Sequence, residues 1–549
     1  MESNSNFKRK LHGWLSYAFA SEVFVIVSLT LFLPICLEQF ARDNGYLQSD
    51  KITRCVDSVN VDEAVPDGGP GARCVVKIGW FWIDSASFSL YVYSISVALQ
   101  ALTVISVGGI ADHPHHRKRL LLGFALAGAI SAMLFVALPS SSPVWFLSAC
   151  LAVVANVGFG VSVVAMNAYL PSLAKASPTV VQLLANLQEA EATDERADDG
   201  NDETDSEQPL IQRSQPDNVM KLRSQYETEL SRATSRISSM GIALGYAAGI
   251  CLLLVALVPV TKMKGTTFAL RLAIGLSGIW WAGFSIPAAL WLPGAEAPIE
   301  NAEAVWVDNE DLQQGKWSIR REILAAWKRL GWMLRWTEIK KLRNTFKYLA
   351  AWFLISDGFT TISSTAILFG KTVLSMKASA LILVGIITPM SGILGSLTWP
   401  RLQSYFEWSN HRVIVILLAL ASLVPAYGCM GFLKISQDHF GGLTTQNEMF
   451  GLAVYFGFMY GAFQGYARAF YAELLPPGEE ARWYALFSIT DKSSSFVGPL
   501  IVGLISDITG NIRYSFFFLV FMIWTSIPIM LTVNVKRGRK DAQSYSYPN

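Results

Sequence analysis

The sequence predicts an all-α, polytopic integral membrane protein with twelve transmembrane helices in two six-helix bundles. Three observations carry this reading. First, 52% of the 549 residues are hydrophobic and only 16% are charged, against roughly 25% charged in soluble domains. Second, twelve apolar runs are long enough to cross about 30 Å of hydrocarbon as helices. Third, an acid-bearing motif occurs twice in register. Tyr17-Ala-Phe-Ala-Ser21-Glu22 and Trp352-Phe-Leu-Ile-Ser356-Asp357 each place Ser four positions and an acid five positions after an aromatic residue. A carboxylate near mid-membrane is costly and marks function by default. Two in matching places imply related halves around one polar site.

The apolar runs fall at about 14 to 40, 85 to 111, 118 to 138, 144 to 170, 237 to 260, 267 to 292, 347 to 370, 379 to 399, 412 to 433, 448 to 474, 483 to 506 and 514 to 534. The first is longer than a signal-peptide core and has no small-residue cleavage pattern behind it, so it is expected to stay as an anchor. Lys and Arg set the orientation, because short loops rich in them stay cytoplasmic. They cluster before the first run (Lys8, Arg9, Lys10), after the second (Arg117, Lys118, Arg119), between the sixth and seventh, and at the end (Lys536, Arg537, Arg539, Lys540). Both termini are therefore expected in the cytoplasm.

This divides the chain into helices one to four of an N-terminal bundle (1–173), a cytoplasmic loop (174–236), helices five and six (237–292), a cytoplasmic linker (293–346), a C-terminal bundle (347–535) and a cytoplasmic tail (536–549). Glu189 to Glu207 is strongly acidic and has no aromatic residue, so the 174–236 loop is expected to be disordered. Its Glu207-Gln-Pro-Leu210-Ile211 is similar to an acidic dileucine signal, with the acid one position too close. It reads either as a site for sorting adaptors or as a plain tether. In the linker, Ile319, Ile323, Trp327, Leu330 and Leu334 recur every three or four residues with basic residues mostly off that stripe. Such a pattern suits an amphipathic helix lying in the headgroup layer of the bilayer.

Four cysteines (Cys36, Cys150, Cys251, Cys429) sit in apolar runs and read as small hydrophobes. Cys55 and Cys74 flank a polar, Gly/Pro-rich loop and form the one plausible disulfide pair if that loop faces an oxidising compartment.

Gly108-Gly109-Ile-Ala-Asp112, followed by Arg117-Lys118-Arg119, resembles the signature loop of the major facilitator superfamily between spans two and three. There an Asp and basic side chains can pair in one conformation and separate in the other, giving Asp112, Arg117 and Arg119 a gating role. A positive-inside loop with a helix-capping Asp is the plainer alternative. His113, His115 and His116 lack the companion ligands of a metal site, and none is expected. The fourth and tenth runs end alike, Gly160 to Leu-Pro171 matching Gly465 to Leu-Pro476, which supports a six-plus-six duplication.

Gly13-Trp14-Leu-Ser-Tyr17-Ala-Phe-Ala-Ser-Glu22, the stretch from Ser356-Asp357 to Phe369, and Tyr471-Ala-Glu473-Leu-Leu-Pro-Pro-Gly are similar to the autophagy-related protein 22 family over essentially the whole chain. The resemblance implies a multi-pass vacuolar membrane protein that exports amino acids to the cytosol when autophagy recycles protein. It implies no site residues, so these are read from the chemistry. A zwitterion needs an acceptor for its ammonium and a donor for its carboxylate. Glu22 and Asp357 are candidates for the ammonium or a coupling proton. Arg468 and Lys492 suit the carboxylate, Arg with the better fork geometry. Asp491 adjoins Lys492, and Asn156 and Asn167 offer neutral hydrogen bonds. Glu473, close to a cytoplasmic end, suits a gate or a cap. The competing reading is that these charges are ion pairs holding the bundles together.

A net charge of +2 gives no global attraction to nucleic acid. Gly370-Lys371-Thr372 resembles the end of a phosphate-binding loop, but Thr365 stands where Gly is required. No hydrolase motif occurs, so neither enzyme activity nor a cofactor is expected. A non-transporting sensor or scaffold on a transporter fold is the alternative function.

Overall fold

The computed structural model describes residues 2–55, 73–112, 114–199, 215–294, 319–433, 441–476 and 480–545. Among them, ten helices are long and apolar enough to cross a membrane: Ser5–Asp43, Ser85–Gly108, His116–Ala137, Leu147–Lys175, Arg236–Lys262, Thr267–Trp291, Arg343–Thr372, Ala378–Phe406, Asn410–Met430 and Ile512–Leu531. They stand where spans one to nine and twelve are expected. In the tenth and eleventh places lie Gln446–Ala472 and the broken pair Glu480–Ser494 and Val497–Thr509. The pair is interrupted at Ser495 and Phe496 and carries Asp491 and Lys492, so it does not present one uniformly apolar rod.

Packing repeats between the halves. The first span packs on the fifth and sixth, the third on the fourth and sixth, and the second on the fourth. Likewise the seventh packs on the eleventh and twelfth, the ninth on the tenth and twelfth, and the eighth on the tenth. Across the bundles, the second meets the eleventh and the fifth meets the eighth. Under the six-plus-six duplication these two crossings are copies of each other. The two parallel repeats therefore touch through equivalent faces and leave spans one and seven beside the space between them.

Without a hydrophobic drive between helices in lipid, such contacts depend on close backbone approach. The eighth and tenth segments show it: a Cβ built on Gly395 would collide with the Phe458 carbonyl oxygen, and one on Gly461 with that of Gly392. Gly395→Val is expected to force these helices apart at a cost of at least ~3 kcal/mol, the upper range for overpacking. Fluorescence-detected size-exclusion chromatography would check this, and an unchanged monodisperse peak and melting point would refute it.

On one face, which carries the basic segments, lie the linker helices Ile319–Met333 and Trp336–Lys341 and the C-terminal helix Val535–Gln543. On the opposite face, β1 (Tyr46–Leu47), β2 (Cys74–Ile78) and β3 (Phe81–Asp84) form an antiparallel sheet, stapled by a Cys55–Cys74 disulfide.

Part of the loop expected to be disordered is helical. Pro178–Asp199 forms a helix with Val180 and Leu187 buried, and the fifth-span helix starts as early as Gln215. The run Val-Gln-Leu-Leu-Ala-Asn-Leu-Gln-Glu-Ala-Glu is rich in strong helix formers, and its apolar residues find a neighbour in the extended fifth helix. Local propensity and that packing outweigh the acidic charge which predicts disorder. Residues 207–211, the candidate sorting signal, lie outside the described residues.

Candidate functional site between the bundles

The first span is α-helical to Val23, then winds as a π-helix from Phe24 to Phe32 before returning to α-helix. Wider π turns often sit at functional sites, and Glu22 immediately precedes this one. Its side chain, half-buried, lies against Gly245 of the fifth span, where an added Cβ would collide with the Glu22 Cγ. The charges that act on Glu22 are Lys492 and Arg468, both from the other bundle, and Tyr246 shares the fields of Glu22 and Arg468. Arg468 is exposed, and the Lys492 side chain is 44% exposed.

Asp357 occupies the equivalent place in the seventh span but has a different task. It packs against Gly498 of the eleventh segment, as Glu22 packs against Gly245 of the fifth. There the chain is broken, and the Gly498 N–H donates to both Asp357 carboxylate oxygens at 3.0 and 2.8 Å. Thr361 Oγ1 donates at 3.3 Å. A buried carboxylate thus caps the start of helix Val497–Thr509, where free N–H groups and the helix dipole favour negative charge. Ser94 Oγ of the second span donates to the Phe496 carbonyl at 2.6 Å, so the break also touches the opposite bundle.

Asp491 accepts from Ser356 Oγ at 2.5 Å and lies 3.5 Å from Lys492 Nζ. Tyr93 feels Asp357 and Asp491, and Tyr460 feels Asp491, Tyr246 and Tyr93 while its hydroxyl accepts from Gln464 Nε2 at 2.6 Å. Glu22, Arg468, Asp491 and Lys492, with Tyr93, Tyr246, Tyr460 and Gln464, therefore share one electrostatic neighbourhood contributed by both bundles, here termed the chamber.

Other candidate residues lie elsewhere. Asn156 is buried, its side chain donating to Ser96 Oγ at 2.8 Å while its backbone carbonyl accepts from Gln100 Nε2 at 3.0 Å, inside the N-terminal bundle. Asn167 is exposed at the end of its helix. Arg117 donates to the Ala111 carbonyl at 3.0 Å and lies over the Tyr169 ring, while Arg119 is exposed. Asp112 ends its helix, and its side chain lies outside the described residues, as does His113. Glu473 accepts from Arg539 at 2.5 Å and from Asn410 at 2.6 Å, tying the C-terminal helix to its own bundle. No group of three metal-ligating residues occurs among the described residues.

Two clamps on the sheet face were not anticipated. Arg73, next to the disulfide, donates to Asp84 at 2.6 Å and to the Ser506 and Asp507 carbonyls at 2.7 and 3.0 Å, at the C-terminal end of the eleventh segment. Asp507 in turn accepts from the Asp84 N–H at 2.8 Å and from Tyr91 at 2.5 Å. In the second clamp, Lys371 lies 2.9 Å from Glu38 and donates to Gln39 at 2.9 Å, joining spans seven and one. The two clamps thus tie the bundles together on the sheet face, while Arg468 is exposed and Lys492 half-exposed.

One arginine serves two carboxylates in the first clamp. Burial lifts the Asp84 carboxyl above its usual range, the Arg73 contact opposes this, and Asp507 adds to it. Opening would return Asp84 to solvent and to an ordinary value, so the closed clamp holds the proton more tightly. Acid on the sheet face should therefore favour closure, and this bias should fade as pH rises through the raised pKa. Spin labels at Lys77 and Thr509 should report a shorter distance at low pH, with Asp84→Asn flattening the dependence. Lengthening on acidification would refute the assignment.

The two clamps and the paired repeats define a two-bundle membrane protein of the major facilitator fold. Comparison with solved structures agrees on the fold. A bacterial homologue of the iron transporter ferroportin in its inward-facing state superposes with a TM-score of 0.52 at 11% identity, covering 96% of this chain and 98% of that one. A point mutant of the nucleoside transporter NupG gives 0.52 at 11%, covering 96% and 99%. The chain belongs to the family described as "Vacuole effluxer Atg22 like", whose model matches residues 6–543, and so is a membrane transporter of autophagy. Autophagy-related protein 22 of Cryptococcus neoformans var. neoformans serotype D is 39% identical over 98% of this chain and 96% of its own. That of Coccidioides immitis is 39% identical over 98% and 88%, and autophagy-related protein 22-1 of Neosartorya fischeri 38% over 97% and 91%.

Proposed function

We propose that this transporter sits in the vacuolar membrane, with both termini in the cytosol, and effluxes amino acids from vacuole to cytosol by alternating access. What supports the proposal is that Glu22 on one bundle lies within the electrostatic reach of Arg468 and Lys492 on the other. An acid facing two bases across a chamber matches the ammonium and carboxylate of a zwitterion, and a substrate touching both would couple binding to the approach of the bundles. Support for the compartment comes from the family description and from the disulfide, which suits an oxidising lumen on the sheet face. Glu22 is also the group placed to exchange a proton with the chamber, giving the proposed proton link.

The test is counterflow of labelled solutes into proteoliposomes preloaded with amino acids, sugars or nucleosides. Amino-acid exchange that free carboxylic acids and free amines fail to compete supports the reading. Exchange of sugars or nucleosides alone, or none in a verified folded preparation, overturns it.

A further inference from the structure

We propose a binding site for one anionic phospholipid in a cavity of about 410 Å³ between the second span, the third span and the linker helix Ile319–Met333. Leu120, Phe124, Ala127, Ile110 and Ile319 give it a mostly apolar lining, with Arg119 and His116 as its polar members. Third-span residues Gly123, Leu126 and Ala127 are exposed on this helix, so the cavity is continuous with the surface that meets hydrocarbon. The linker helix forms its roof. Trp327 Nε1 donates to Ser106 Oγ of the second span at 3.1 Å, pinning the helix there, while its first turn, whose Ile319 lines the cavity, carries Arg320 and Arg321, both exposed.

Apolar walls reject a small soluble anion, and an arginine-rich rim gives a neutral lipid nothing for its charge. An amphiphile with an acyl chain and a phosphate-bearing head satisfies both ends, because guanidinium groups hold phosphate in paired hydrogen bonds and each basic side chain adds attraction to an anionic leaflet. Glu322 shares the first turn but does not line the cavity. Since the linker helix joins the two bundles, the lipid would hold it against the second and third spans.

Full-length protein in nanodiscs would be irradiated with photoactivatable phosphatidylserine or photoactivatable phosphatidylcholine, and labelled peptides mapped. Phosphatidylserine should label the peptides around Leu120–Ala127 and Ile319 about fivefold more than phosphatidylcholine, as one arginine at an anionic surface implies. Arg119→Gln should lower this ratio, leaving the part that Arg320 and Arg321 contribute. Gly123→Leu, whose side chain meets nothing within 4 Å at Cβ, should lower labelling by both lipids. Equal labelling by the two lipids, or undiminished labelling of Arg119→Gln, overturns the proposal. So does full competition by soluble glycerophosphoserine, which would leave an anion site with no use for the groove.

Discussion

Glu22→Gln is expected to lower amino-acid counterflow roughly 10- to 100-fold, the loss of one hydrogen bond to a charged group worth about 1.5–3 kcal/mol. Gln is nearly isosteric and still fits against Gly245, so folded yield should match the parent. What changes is the electrostatics: Arg468 and Lys492 remain opposite an uncharged partner, and the chamber then repels an ammonium. Asp357→Asn is the informative control. Asp357 is 2% exposed and bonded to the Gly498 N–H, so its replacement should act on stability through the capped break, with a lower melting temperature. Flux per folded molecule should fall less than for Glu22→Gln. The assay is labelled amino-acid counterflow normalised to monodisperse protein. Parental flux in Glu22→Gln would remove Glu22 from the substrate path.

The repeat was legible because burying an acid in a membrane helix is costly enough to stand out in a single sequence. Ser21-Glu22 and Ser356-Asp357 do mark equivalent places in the two bundles. Their divergence was not legible, since it depends on partners far along the chain: an intact fifth helix at Gly245 leaves Glu22 facing the chamber, whereas the break at Gly498 engages Asp357. The polar Thr490-Asp-Lys-Ser-Ser-Ser495 run before Gly498 was the available sign of that break. The sheet-face clamps were missed for a related reason. Lys371 sits in a stretch that resembles a phosphate loop, a likeness that masks its charge. Yet a lysine closing a span on the lysine-poor face needed a partner, and Glu38 at the matching end of the first span was the nearest equivalent. Arg73 stands in a polar loop whose two cysteines are its plainest signal, next to Cys74.

Lys371→Met is expected to release the sheet-face door more than Glu38→Gln does. Glu38 is 1% exposed, with Lys371 at 2.9 Å and, among the described residues, only a distant Ser85 hydroxyl, at 3.4 Å, as a further partner. Removing the lysine leaves a buried carboxylate without its counter-ion, at a cost of about 3–5 kcal/mol to the closed state. Removing the acid leaves Lys371 still donating to Gln39 and to the Ile35 carbonyl, so the loss should be smaller. A penalty of about 3 kcal/mol shifts the closed-to-open ratio by roughly 150-fold, although the Arg73 clamp still acts from the neighbouring spans. A cysteine at Tyr246 would report the result through its labelling by an impermeant maleimide applied from the sheet face. Labelling should rise strongly in Lys371→Met, modestly in Glu38→Gln, and fall back in the double variant, where neither charge is left buried alone. If the double variant is as open as Lys371→Met, the door is held by something other than this pair, and the Arg73 clamp becomes the element to cut next.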